Sequence, residues 1–72
     1  MEGAPKLTER HWSKIFKFAD GLNTPGEIRQ AMVKTQQLFQ AAFKDRKLLT
    51  HVYHFETYKF LAKKLEEMHE EQ

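Results

Sequence analysis

KLLTHVYHFETYKFLAKKLEEMHE, residues 47–70, is the longest stretch of regular hydrophobic periodicity in this chain. Its apolar residues recur three and four positions apart, the spacing that keeps side chains on one side of an α-helix. The members of this main stripe are Leu48, Val52, Phe55, Tyr58, Ala62 and Leu65. A second apolar row, about a third of a turn or more away at ~100° per residue, consists of Leu49, Tyr53 and Phe60. Because a helix that is apolar on two sides packs against more than one neighbour, we expect it to be the centre of a bundle.

Two shorter helices are predicted before it, and each begins at a threonine. Thr8 is placed as an N-cap, and the apolar spacing after it predicts a helix over 9–20, closed by Gly21 in a left-handed conformation. The sequence Thr24-Pro25-Gly26-Glu27 is typical of a capping box with proline at the first helical position. A second helix is therefore predicted over 25–43.

The boundary between the second and the third helix is weakly marked. Only Lys44-Asp45-Arg46 separates them, without glycine or proline, and Asp45 is placed to cap the third helix. A helix that continues through this point, and opens into a hairpin swapped between two copies, is the alternative. The main stripe also drifts in direction near Thr57, which indicates either an unbroken helix with a period close to 3.5 residues or a break.

These signals together predict an all-α fold. It is a compact three-helix bundle with helices near 9–20, 25–43 and 47–70, or four helices if the last one breaks near Thr57. A single helical domain over 8–70 follows a leader at 1–7, which is predicted to be flexible because it has no periodicity.

Composition limits the class of function. Seventy-two residues make one small domain, with no room for a large enzyme cleft. The chain has no cysteine and no apolar run long enough to span a membrane or to act as a signal peptide, so we expect a protein of the cytoplasm or nucleus. The formal net charge of +2 is too small to indicate a nucleic-acid partner by itself.

No residue pattern points to catalysis or to a bound cofactor. Ser13 is the only serine, a glycine-rich phosphate loop is absent, and no pair of carboxylates is framed by apolar residues. His51 and His54 lie three apart and could offer two nitrogens to zinc, but further ligands would have to come from elsewhere in the fold, from His11, Glu56 or His69. We therefore expect a non-enzymatic protein with no metal, no cofactor and no small-molecule substrate.

Basic side chains form two groups that could line a phosphate-binding surface. Arg10, Lys14 and Lys17 recur along one side of the first helix. The second group surrounds the weakly marked turn and consists of Lys44, Arg46 and Lys47. Lysines cover the solvated face of any small helical domain, so an ordinary polar surface is the alternative.

Three short segments bear on the same question: Leu7-Thr8-Glu9-Arg10, Ala19-Asp20-Gly21-Leu22-Asn23 and Glu27-Ile28. They span about a third of the chain, and they resemble the opening of LuxR-type helix-turn-helix domains. In that family such residues form the scaffold helix and the turn after it, so the resemblance implies a nucleic-acid-binding transcriptional regulator. The Gly21–Glu27 interval is one residue longer than in the family, and no glycine turn follows Met32. No residue is therefore assigned a base-reading role.

Apolar residues left over from the predicted core indicate a protein-binding surface. Phe18 and Val33 fall off the stripes of their helices, and the second row of the last helix adds further aromatic area. Both rows of that helix can instead be core in a three-helix bundle, which is the alternative. We predict a small regulatory or adaptor module that binds a protein partner, or a second copy of itself. Its candidate anchors are Phe18, Arg46, Leu49, Tyr53 and Phe60.

Overall fold

Three α-helices account for the fold in a computed structural model that describes residues 6–70, with side chains to Met68. They are α1 (Glu9–Asp20), α2 (Pro25–Lys44) and α3 (Leu48–Glu70), and no strand occurs between residues 6 and 70. The predicted all-α three-helix bundle is confirmed, with α2 one residue longer and α3 starting one residue later than expected. Most of the predicted leader, residues 1–5, lies outside the described residues.

Both predicted N-caps close their helices through side chains. The Thr24 hydroxyl accepts from the Glu27 N–H at 3.2 Å, and the Glu27 carboxylate accepts from the Thr24 N–H at 3.1 Å. The same reciprocal arrangement joins Thr8 to His11, where the imidazole Nδ1 takes the place of the carboxylate. These bonds satisfy backbone donors that the first turn of a helix leaves unpaired.

Gly21 does not adopt the left-handed conformation that we expected. Its φ is −78° and its ψ is −7°, which is right-handed helical backbone. The N–H groups of Gly21 and Leu22 donate to the carbonyls of Phe18 and Ala19, so a tighter last turn closes α1 without a positive φ.

The turn between α2 and α3 is a Schellman motif built without glycine. Arg46 has a φ of 60°, and its N–H donates to the Phe43 carbonyl while the Lys47 N–H donates to the Ala42 carbonyl at 2.9 Å. Asp45 is the C-cap of α2 and not the N-cap of α3. The alternative of a helix that continues through the turn is therefore wrong for this structure.

Helix α3 is unbroken at Thr57, so the four-helix alternative is also wrong. The Thr57 side chain is buried, and its hydroxyl donates to the Tyr53 carbonyl at 2.8 Å. Thr35 of α2 is buried in the same way, with its hydroxyl 2.6 Å from the Ala31 carbonyl. A hydroxyl bonded within its own helix is satisfied without interrupting the backbone ladder.

Helices α2 and α3 form an antiparallel hairpin, and α1 lies along it parallel to α3. The direction of α1 follows from contacts that advance together along both helices: His11 meets Tyr53, Phe16 meets Phe60, and the Lys64 ammonium donates to the carbonyl of Ala19 at 2.6 Å. The fully buried apolar side chains are few, and they are Ile15, Ala19, Ile28, Ala42 and Leu61.

Candidate protein-binding surface

The two apolar rows of α3 do not divide their roles as the periodicity suggested. The second row faces α1, through the ring contacts of Tyr53 and Phe60. The row that is fully buried contains Thr57 and Leu61, and at ~100° per residue Leu61 points about 120° away from Phe55. The main stripe therefore lies largely on the outer side of the hairpin, with Phe55 39% exposed and Leu48 53% exposed.

Rings from α2 and α3 gather on this outer side, away from α1. We call this cluster the aromatic face; it consists of Phe39, Phe43, His51, Phe55 and Tyr58. The Phe39 ring lies at its centre, edge-on to Phe55 at 5.4 Å and to Tyr58 at 5.7 Å between ring centroids. Edge-to-face pairs at such separations are favourable geometries for aromatic rings.

His51 is held firmly within the aromatic face. Its Nδ1–H donates to the Phe39 carbonyl at 2.8 Å, and its ring stacks on Phe55 with centroids 6.0 Å apart and 10° between the planes. It also meets the Phe43 ring at 5.2 Å. Because the carbonyl can only accept, the bond fixes both the tautomer and the orientation of the imidazole. The rings are thus positioned before any partner arrives.

Much of the aromatic face is open to solvent. Phe43 is 62% exposed and borders a hollow of about 370 Å³ with Phe39, His51 and Lys44. A second hollow of about 240 Å³ continues the apolar surface toward the far end of the hairpin, where Val33 is 57% exposed. It is lined by Arg29, Met32, Val33, Gln36, Tyr58 and Leu65.

Charge is sparse at the centre of the aromatic face. The Lys59 ammonium lies 5.2 Å from the centroid of the Phe55 ring. The same ammonium is 3.5 Å from the Glu56 carboxylate, so these two charges form an ion pair at the edge of the aromatic face. The polar residues beside Phe39 and Phe43 on α2 are the uncharged Gln36 and Gln40, with the cation Lys44 at the turn end of the same surface. An apolar centre depleted of charge and rich in aromatic rings is the composition of a protein-binding surface.

The five anchors predicted from the sequence lie elsewhere. Tyr53 and Phe60 pack toward α1 and are half-buried, while Leu49 is exposed on the same side. Phe18 is exposed on α1, and Arg46 is in the turn next to the aromatic face. Tyr53 shares one cleft with Phe18 and a neighbouring hollow with Leu49, whereas Arg46 lies apart from them in the turn. The role of these residues in partner binding stays a prediction.

Phe18 and Tyr53 border a cleft between the three helices, with a volume of about 230 Å³. Its floor contains the short side chains of Ala31, Thr35 and Thr57. The half-buried His54 imidazole also lines it, and burial lowers the pKa of His54 because it disfavours the charged form. The titratable side chains among the described residues that line this cleft are Lys34, Tyr53 and His54, and none of the lining residues is a carboxylate.

The aromatic face could have been found from hairpin register. Residues that face each other in an antiparallel hairpin have numbers with a constant sum, and the pairs Phe39–Phe55 and Phe43–His51 share one sum. Sequence reasoning did not assign Phe39 or Phe43 to a binding surface and considered His51 only as a possible zinc ligand, because it treated each helix separately.

Most of the basic side chains lie toward one end of the molecule. All six are exposed: Arg10, Lys14, Lys17, Lys44, Arg46 and Lys47. Because α1 runs parallel to α3, the start of α1 lies at the same end as the turn, and Lys14 borders a shallow hollow with Leu49 and Thr50. Lys17 follows Phe16, which meets Phe60, so Lys17 lies farther from the turn. The acids at this end are Asp45 in the turn and Glu9 at the start of α1.

The two histidines that could have offered zinc ligands do not converge. His51 belongs to the aromatic face, whereas His54 lines the three-helix cleft. Among the described residues no three His, Cys, Asp or Glu side chains gather around a point where a metal ion could sit. Within the same part of the chain, no helix combines the length and the apolar character needed to cross a membrane.

The LuxR-type resemblance implies a turn in the middle of α2, and α2 instead continues without interruption to Lys44. A recognition helix following a short scaffold helix is therefore not formed at that place. Comparison with protein-family models, with curated proteins and with solved structures finds no match to this chain.

Proposed function

We propose that this protein is a small non-enzymatic regulatory or adaptor module of the cytoplasm or nucleus, and that it binds a protein partner through the aromatic face. The observation that supports this is the exposure of Phe43 and Phe55 within a set of pre-positioned rings. Rigid aromatic side chains lose little conformational entropy on binding, which makes them effective anchors. Without a partner, this exposed apolar area would lower the solubility of the protein and would not stabilise its fold.

Binding can be tested by capture from an extract of the source cells, with mass spectrometry of the bound proteins. The double variant Phe43→Ser, Phe55→Ser removes two exposed rings of the aromatic face. Phe18→Ser is the matched control, because Phe18 has similar exposure and lies on α1. A protein, or an untagged copy of this chain, that is lost with the double variant and kept with the control supports the proposal. Equal capture by all three forms would refute it.

A second candidate is a nucleic-acid-binding regulator, and the position of Arg10 and Lys14 at the same end as the basic turn favours it. Binding that depends on phosphate contacts weakens steeply as salt rises, because counterions are released. Fluorescence anisotropy with a labelled DNA duplex and with a labelled RNA would show such a slope, and Arg10→Gln with Lys14→Gln would reduce it. Lys63→Gln is the control, since Lys63 lies toward the opposite end of α3. A salt-independent signal, or a slope unchanged by the double variant, would remove this candidate.

A further inference from the structure

We propose that the occupant of the aromatic face is a second copy of this chain, packed antiparallel so that two hairpins form a four-helix bundle. This inference rests on the proposed function, since it names the partner of the same surface. In this arrangement α3 of one copy lies across α3 of the other, and α2 across α2, with the turn end of each copy at the open end of its partner.

The area available is sufficient for a stable dimer. Helix α3 has 23 residues. At 1.5 Å per residue it is about 34 Å long, and two packed helices present a face about 20 Å wide. Each copy therefore offers roughly 600 to 700 Å², close to the ~800 Å² per partner of a standard interface. The exposed apolar residues extend along most of that length, from Leu48 and Phe43 near the turn to Val33.

The distribution of charge selects the antiparallel arrangement. The turn carries Lys44, Arg46 and Lys47 against Asp45 alone. The open end of the hairpin carries both signs of charge: the carboxylates of Glu27, Glu66 and Glu67, and the cations Arg29, Lys63 and Lys64.

A parallel dimer would bring the two basic turn ends together, and like charges across an interface disfavour association. In the antiparallel dimer each basic turn end meets the mixed charges of its partner's open end, so this repulsion does not arise. The charge pattern therefore opposes the parallel arrangement. Self-complementary contact of one patch with its copy is the geometry of a two-fold dimer.

Cysteine cross-linking tests the arrangement directly, because the chain has no cysteine of its own. Leu48 and Glu66 are both exposed and lie eighteen residues apart in α3, about five helical turns, so they share one side of the helix. In the antiparallel dimer Leu48 of one copy lies near Glu66 of the other. An oxidised mixture of Leu48→Cys and Glu66→Cys chains should form the mixed disulfide dimer, and each variant alone should stay largely uncross-linked.

Cross-linking of Leu48→Cys with itself would overturn the antiparallel arrangement. The unmodified chain provides the second measurement, by sedimentation equilibrium. A mass that approaches twice 8.6 kDa as concentration rises supports self-association. A mass of 8.6 kDa up to millimolar concentration overturns it, whatever the variants do.

A photo-reactive residue separates this inference from the proposed function. p-Benzoylphenylalanine in place of Phe43 reports what touches the aromatic face in an extract of the source cells, and the same residue in place of Phe18 is the control. An adduct of twice the chain mass supports the dimer. An adduct with a different polypeptide overturns the dimer and leaves the proposed function standing. No adduct beyond that of the Phe18 control overturns both.

Discussion

The clearest consequence of the packing is a difference between two leucines of α3. Leu61 is fully buried between the helices, whereas Leu48 belongs to the main stripe and is about half exposed. Replacing each by alanine removes the same atoms, and leucine and alanine differ little in helix propensity. The difference between the two variants therefore measures mainly burial.

The expected loss is much larger for Leu61→Ala. A buried Leu→Ala change costs about 2.5–4 kcal/mol through lost transfer energy and the cavity left behind. At about half exposure, Leu48→Ala should cost about 1 kcal/mol on the scale of ~0.8 kcal/mol per buried methylene. For a domain of this size 1 kcal/mol corresponds to about 6–7 °C in Tm. Leu61→Ala should therefore lower Tm by roughly 15–25 °C, and Leu48→Ala by about 6 °C.

Thermal unfolding followed by circular dichroism in dilute solution is the suitable assay. Dilution keeps the chain monomeric, so the two losses reflect the fold of one copy. Equal losses for Leu61→Ala and Leu48→Ala in dilute solution would refute the assignment of the main stripe to the outer surface. If two copies associate, the decrease in Tm caused by Leu48→Ala should become larger as protein concentration rises. The difference in Tm between the Leu61→Ala and Leu48→Ala variants should then become smaller.

Three further perturbations address the caps, the turn and the cleft. Thr24→Ala removes the acceptor for the Glu27 N–H and should lower the free energy of unfolding, measured with urea, by about 1 kcal/mol. Arg46→Gly places glycine at a position with left-handed backbone, which glycine adopts without steric strain. It should raise the free energy of unfolding by about 0.5–1 kcal/mol, measured the same way. His54 has a lowered pKa, so the unfolded chain takes up its proton first as pH falls, and stability declines once pH drops below about 6.5. His54→Gln should flatten the decline in Tm between about pH 7 and pH 5; an unchanged decline would contradict the assignment.

The parts of the fold that could be predicted are those set by local chemistry. A helix start depends on one side chain and on the backbone donors within three residues of it, so Thr8 and Thr24 identify two starts without any tertiary information. Helix lengths followed from hydrophobic spacing to within one residue. The His11 side of the first capping box was missed because histidine is not among the usual partners at that position.

The turn and the continuity of α3 were ambiguous for a physical reason. A Schellman turn is normally written with glycine, and here Arg46 adopts the left-handed conformation, so the sequence carries no marker. A break near Thr57 was an alternative because the main stripe drifts in direction there. The Thr57 hydroxyl bonds to the carbonyl of Tyr53 inside the packed hairpin, and the helix continues without interruption.

The aromatic face was not predicted because periodicity alone cannot rank the sides of a helix that is apolar on most of its circumference. Hydrophobic periodicity is dominated by large side chains, but the layer between α2 and α3 is built mainly from short side chains. Its buried members include Thr35, Ala42 and Thr57, beside the branched Ile28 and Leu61. Short side chains allow the two helices to approach closely. The bulky rings at neighbouring positions therefore lie at the edge of the interface between α2 and α3.

The displaced rings then meet one another across the hairpin. Phe39 and Phe43 on α2 find His51 and Phe55 on α3 because both pairs share one register about the turn. The aromatic face is thus a direct product of how the hairpin packs, and it cannot be removed by repacking one chain around the same short-residue layer. The like charges of the basic turn end disfavour its contact with the same end of another copy, so a second copy on this face is expected to pack end for end.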